Sequence, residues 1–138
     1  ASYVFRRPIA MMTVPVQSFY TFKNFFHITK HHKFLDNKKK LTLSEIFEKG
    51  LDTLNYLNSN NDVFLEELNQ DEINSFLIEV LDILEEKFIW TKKDKDYQVQ
   101  FRKNYQRLIE KYGYNYLHKN YEAIFSPVFL KNNPQLLK

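Results

Sequence analysis

A chain of 138 residues with 43% apolar content and a formal net charge of +3 has room for one globular domain with a real core, and its charge is too small for a general polyanion binder. Cysteine is absent, which rules out disulfides, thiolate metal sites and cysteine nucleophiles; the only glycines, Gly50 and Gly113, leave no glycine-rich phosphate loop. No stretch reaches the roughly 18–20 apolar residues that span a bilayer, since the nearest, Pro8 to Phe26, is interrupted by Pro15, Gln17 and Lys23.

The charge is placed unevenly. From Ala1 to Lys40, eight basic residues stand against the single acid Asp36, a net +7; from Leu41 to Lys138, twelve stand against sixteen, a net −4. Residues 1–40 therefore read as a basic, aromatic N-terminal arm. Pro8 and Pro15 block a regular helix and suit an extended, irregular strap. Tyr3, Phe5, Phe19, Tyr20, Phe22, Phe25 and Phe26 are its expected partner contacts, with Arg6 and Arg7 set to meet acidic rims or lipid phosphates. Part of the aromatic excess follows from A/T-rich codons, which also explain sixteen Lys and thirteen Asn against three Ala and four Arg. His27 and His31 are spaced i, i+4, as two ligands on a helix would be, and His32 follows. No third and fourth ligands stand at a recognisable spacing, so the three read as basic surface.

Residues 41–125 read as a helical body. Thr42 and Glu45 form a capping box, with Leu41 stapled to Ile46, and the helix carries Ile46, Phe47, Leu51, Leu54 and Leu57 on one face. Gly50 is then an interior defect. Asp62 can cap a short helix through Val63, Phe64, Leu65 and Leu68. A second capping box, Asn69 with Glu72, opens the most periodic segment: Ile73, Phe76, Leu77, Val80, Leu81, Leu84 and Phe88 recur at steps of three and four. This is the expected central helix, with Leu77, Leu81 and Leu84 in the core. Residues 92–96 read as a solvated turn. A helix from about Tyr97 to Tyr112 should point Phe101, Tyr105, Leu108, Ile109 and Tyr112 inward, with Gly113 as its C-cap. A shorter helix covers about Asn115 to Phe125, Ser126-Pro127 stops it, and 126–138 is an irregular tail. The expected fold is all-α: a bundle of three to five helices with an irregular arm and tail.

No catalytic constellation emerges. The neighbouring acids Glu66-Glu67, Asp71-Glu72 and Glu85-Glu86 would diverge by about 100° on a helix and so cannot converge on a substrate. His118 reads as structural. Trp90, the single tryptophan, is either a core-edge anchor or a partner hot spot. The expectation is a non-catalytic accessory subunit of a multi-protein assembly, with no cofactor and no metal. An acid-poor, Arg-bearing N-terminus resembles a mitochondrial targeting region in composition, which points to a respiratory-chain or ATP-synthase complex at the inner membrane. There the arm would strap onto neighbouring subunits or touch anionic lipid. The alternatives are an RNA-contacting mitochondrial ribosomal protein and a free-standing helical adaptor, cytoplasmic or exported.

Overall fold

The structure, a computed structural model, describes residues 8–14, 25–50, 62–112 and 122–138. It is mixed α/β and overturns the all-α expectation. In chain order the described elements are β1 (Ile9–Val14), β2 (Phe25–Thr29), β3 (His31–Phe34), α1 (Leu43–Glu48), β4 (Val63–Glu66), α2 (Gln70–Leu84), α3 (Lys92–Tyr112), β5 (Ile124–Phe125), α4 (Pro127–Asn132) and a 3-10 turn at Pro134–Leu137.

The strands missed by the sequence reading explain themselves physically. In the parallel sheet β1-β2-β5, the central strand β2 aligns Phe25 with Ile9, Phe26 with Ala10 and Ile124, and His27 with Met11 and Phe125. All five β2 residues are buried. A parallel strand covered on both faces has no reason to alternate apolar with polar residues, so Phe25-Phe26-His27-Ile28-Thr29 carries no period-two signature. Lys30 alone then separates β2 from β3, which pairs antiparallel with β4 in a second sheet, from His31 opposite Glu66 to Phe34 opposite Val63. Val63-Phe64-Leu65 is too short a run to tell strand from helix by periodicity. Its pairing with β3 decides, and ion pairs from Lys33 to Glu66 (2.9 Å) and Lys30 to Glu67 (2.6 Å) flank it. Strands from both sides of Lys40 thus pair in both sheets.

Helix starts follow local chemistry closely. Both expected capping boxes are present: Thr42 with Glu45 opens α1, and Asn69 with Glu72 opens α2. Gly50, at φ 72°, sits just past the C-cap Lys49, where it ends α1 rather than interrupting it. Leu51, Leu54 and Leu57 lie outside the described residues. The expected turn at 92–96 is instead the first turn of α3. The Thr91 N–H donates to Asp94 Oδ2 (3.0 Å), and the Asp94 N–H donates to Thr91 Oγ1 (3.1 Å), a reciprocal cap in which Asp takes the place of Glu. Ser126-Pro127 starts a helix where a stop was expected. Proline lacks only an N–H that the first helical position would leave unpaired, and the Phe129 N–H donates to Ser126 Oγ (3.2 Å). The tail is therefore helical, not irregular.

The core is centred on α3, not α2. Phe101, Tyr105, Leu108 and Ile109 are buried, as expected. Tyr105 meets Phe47 of α1 edge-on at 5.8 Å, and Phe101 packs on Phe125 of β5 at 4.6 Å. On α2 the buried side chains are Phe76, Glu79 and Val80, while Leu77, Leu81 and Leu84 are exposed. The helix is apolar around more of its circumference than its neighbours cover. Periodicity reported its amphipathic character but not the side that β1 and α4 would take.

Two outcomes follow for stability. Leu108→Ala should cost about 2–5 kcal/mol in urea unfolding, while Leu81→Ala, at a side chain 56% exposed, should stay within about 0.5 kcal/mol. Glu86 follows the C-cap of α2 at φ 60°, a left-handed position that suits glycine. Glu86→Gly should therefore raise stability by about 1 kcal/mol.

Candidate functional site

Three helices are tied together by a buried polar network. Glu79 falls between Phe76 and Val80 on the covered face of α2, an acid where an apolar residue would be expected. Its carboxylate accepts the Ser126 hydroxyl at 2.5 Å and the Val128 N–H at 3.0 Å. It thereby completes the cap of α4: the Val128 N–H is a donor that the first turn of a helix leaves unpaired, and the Ser126 hydroxyl belongs to the N-cap residue. Burial pushes the Glu79 carboxyl above the ordinary carboxylate range; the Ser126 and Val128 hydrogen bonds oppose this, and the charge of Asp94 adds to it. On α3, burial raises Asp94 as well, but Lys131 at 2.7 Å and the Thr91 hydrogen bonds outweigh it and hold Asp94 low. Gln98 donates to the Phe125 carbonyl (2.5 Å) and Arg102 to the Ala123 carbonyl (3.1 Å), fastening α3 to β5. Ser126 accepts from Phe129 and donates to Glu79, so its hydroxyl is committed to the cap.

His27, His31 and His32 are interior groups, not basic surface. His27 lies on β2 and His31-His32 on β3, so the i, i+4 geometry of a helix does not arise, and all three are buried. The His31 Nε2 is 2.7 Å from Glu72 Oε2, and its ring stacks on Phe129 at 5.5 Å. His32 Nδ1 donates to the Lys30 carbonyl at 3.0 Å, which fixes the tautomer and leaves the buried Nε2 without a hydrogen-bond partner. Burial lowers the His32 ring to about 4. Among the described residues no group of three or more His, Cys, Asp or Glu side chains is arranged to hold a metal ion.

A cleft of about 220 Å³ opens between the first turn of α2 and α4. Ile28, Phe76 and Phe129 form its apolar base, with Asn69, Asp71 and Asn132 at its polar side. Glu72, which also lines it, is already engaged by His31 and by the Asn69 N–H (3.1 Å). The cleft combines polar acceptors with a small apolar floor, and of its two acids Glu72 serves the cap of α2.

The most conspicuous surface is the opposite side of α2. Leu77, Ile78, Leu81 and Leu84 are exposed, and Ile89 beyond the helix is 83% exposed. The steps 77, 81 and 84 place three leucines in one row, with Ile78 beside it. Trp90 closes this end of the helix half-buried, edge-on to Phe88 at 5.0 Å.

The expected arm contacts divide. Phe25 and Phe26 are buried on β2 in this chain's own core. Tyr3, Phe5, Arg6, Arg7, Phe19, Tyr20 and Phe22 lie outside the described residues. Sequence reasoning missed Glu79 and Asp94. A lone acid inside Phe76-Leu77-Ile78-Glu79-Val80 and the Thr91/Asp94 spacing were the available signals. Among the described residues no helix is long and apolar enough to cross a membrane.

His32 gives the site a pH signature. Its folded pKa lies below the ordinary 6.5, so the neutral ring stabilises the fold above pH 6.5, and that contribution is lost as pH falls through about 4. Urea unfolding from pH 7 to 4 should show a loss of about 3 kcal/mol that is absent in His32→Gln. Glu79, shifted upward, works with the opposite sign and is common to both proteins, so it cancels in the difference. Compared with protein-family models, with curated proteins and with solved structures, the chain matches none.

Proposed function

We propose that this chain is a non-catalytic structural subunit of a multi-protein assembly, attached to a neighbouring protein subunit through the outer face of α2. The observation that carries this reading is the row Leu77, Leu81 and Leu84 with Ile78, exposed on one helix. Burying such a row against a protein partner removes apolar area worth about 25 cal/mol per Å² from water. Trp90, half-buried at the end of the row, is the proposed anchor residue. The arm residues Tyr3, Phe5, Arg6, Arg7, Phe19, Tyr20 and Phe22 are a second proposed attachment, resting on sequence composition alone. A respiratory-chain or ATP-synthase complex of the mitochondrial inner membrane is the proposed setting, on the same compositional ground.

Charge placement favours a protein neighbour over RNA. Lys30, Lys33 and Lys49 are engaged by Glu67, Glu66 and Asp62, and Arg102 donates to a backbone carbonyl. These cations would have to leave their partners to meet phosphates, whereas an RNA-binding face presents them free.

The test is size-exclusion of the native protein with identification of co-eluting subunits. The expected result is elution far above monomer size with a stoichiometric set of partner proteins. The double variant Leu77→Ser/Leu81→Ser should elute as a folded monomer, with unchanged far-UV circular dichroism. Monomeric elution of the unaltered chain would overturn the reading, and co-elution with RNA would replace it.

A further inference from the structure

The cleft between α2 and α4 has a polar lining that the fold uses only in part. Asn69 accepts the Glu72 N–H at 2.8 Å, and Glu72 accepts the Asn69 N–H and meets His31. Ser126 is committed to the cap of α4. Asn133 accepts from Lys40 at 2.6 Å and donates to the Phe129 carbonyl at 2.9 Å. Asp71, Ser75 and Asn132 remain: among the described residues no hydrogen bond or ion pair engages their side chains. Asp71 and Ser75 stand one turn apart on α2, and Asn132 ends α4, so two helices bring three uncommitted side chains to one opening. All three are exposed at its rim, while Ile28, Phe76 and Phe129 lie buried beneath.

Charge and size narrow what this opening can take. Two of its lining residues are acids and none is Lys or Arg. The neighbouring cations answer to other groups: Lys131 is held by Asp94 at 2.7 Å, and Lys40 by Asn133 among the charges of Glu72 and Glu66. The dipole of α2 adds about half a positive charge at this end, less than the full charge of the Asp71 carboxylate, so a cation is favoured. A volume of about 220 Å³ is below the roughly 300–1,000 Å³ of a site for a drug-sized ligand, and suits a single side chain. Arginine matches the lining better than lysine. Its planar fork takes a carboxylate with two parallel hydrogen bonds, leaves N–H groups for further oxygens, and lies well on aromatic rings.

We propose that the cleft receives an arginine side chain of a partner protein, its guanidinium on Asp71 and on the side-chain oxygens of Ser75 and Asn132, its stem over Ile28, Phe76 and Phe129. One ion pair over so small a floor gives about millimolar affinity, so the arginine is one anchor of a wider contact. The inference rests on the reading that the chain attaches to a protein neighbour, but not on the leucine row, which faces a different side of α2.

The experiment follows the amide NMR signals of the full chain, at low salt, during titration with ethylguanidinium, its neutral isostere N-ethylurea, and ethylammonium. Ethylguanidinium should move the Ser75, Val128 and Asn132 signals at about millimolar concentration. It should bind at least about tenfold tighter than N-ethylurea, and tighter than ethylammonium. Asp71→Asn should remove the preference over N-ethylurea. Ser75→Arg, which sets a guanidinium one turn from Asp71, should block the cleft. Both variants should keep the far-UV circular dichroism, and both should lose co-eluting partner at a salt concentration at which the unaltered chain retains it. Equal binding of N-ethylurea or of ethylammonium, or no localised shifts at all, would overturn the arginine assignment. Unchanged partner retention in both variants would overturn the partner as its source while leaving the attachment reading intact. Monomeric elution of the unaltered chain would overturn that reading and the partner arginine with it, whatever the cleft binds.

Discussion

Almost everything in this fold depends on covering β2. A strand with every residue buried must satisfy its backbone on two sides and its side chains on two faces at once. β1 and β5 take the two hydrogen-bonding edges. Phe25, Phe26 and Ile28 join the same apolar cluster as Phe47, Phe101, Tyr105 and Phe125, so α1, α3 and β5 are all needed to close it. The Ser126 N–H continues the pairing by donating to the His27 carbonyl at 2.8 Å, and the next residue begins α4. One backbone hydrogen bond thus joins the end of the sheet to the start of the helix that Glu79 caps.

That arrangement also separates what the sequence disclosed from what it concealed. Helix starts were legible because a cap is a local device: Thr42/Glu45 and Asn69/Glu72 satisfy each other within four residues. The inner face of α3 was legible because Phe101, Tyr105, Leu108 and Ile109 form a narrow stripe with mostly polar residues around the rest of the helix. β2 was concealed because burial on both faces erases alternation, and β4 because four residues cannot declare a period. The direction of α2 was concealed for a different reason. Its apolar residues surround most of the helix, and its orientation is set by Glu79, whose partners Ser126 and Val128 lie 47 and 49 residues away. Only tertiary structure brings such groups together.

The interior is more polar than its composition suggests. Glu79, Asp94, Gln98, Ser126 and Asn133 are buried, and each is held by a cap, a carbonyl or a lysine. Their number is a consequence of many short elements. Each helix end brings unpaired backbone donors or acceptors inside, and side chains at a distance in sequence complete them. Such contacts fix orientation more than they add net stability. A rigid α2, pinned from its inner side by a carboxylate, offers its outer side as a fixed template.

The parallel sheet has one more consequence, and it concerns the order of events when the chain is made. Phe26 pairs with Ile124, across 98 positions of sequence. No hairpin can form this sheet. Loop closure over such a span must precede the contacts that reward it, which places the chain among slow-folding, high-contact-order topologies. A ribosome adding about 5–20 residues each second leaves Phe25-Phe26-His27-Ile28-Thr29 uncovered on one edge until β5 emerges. During that interval the growing polypeptide displays an apolar strand of high β-propensity, the kind of segment that chaperones retain and that unprotected chains aggregate through.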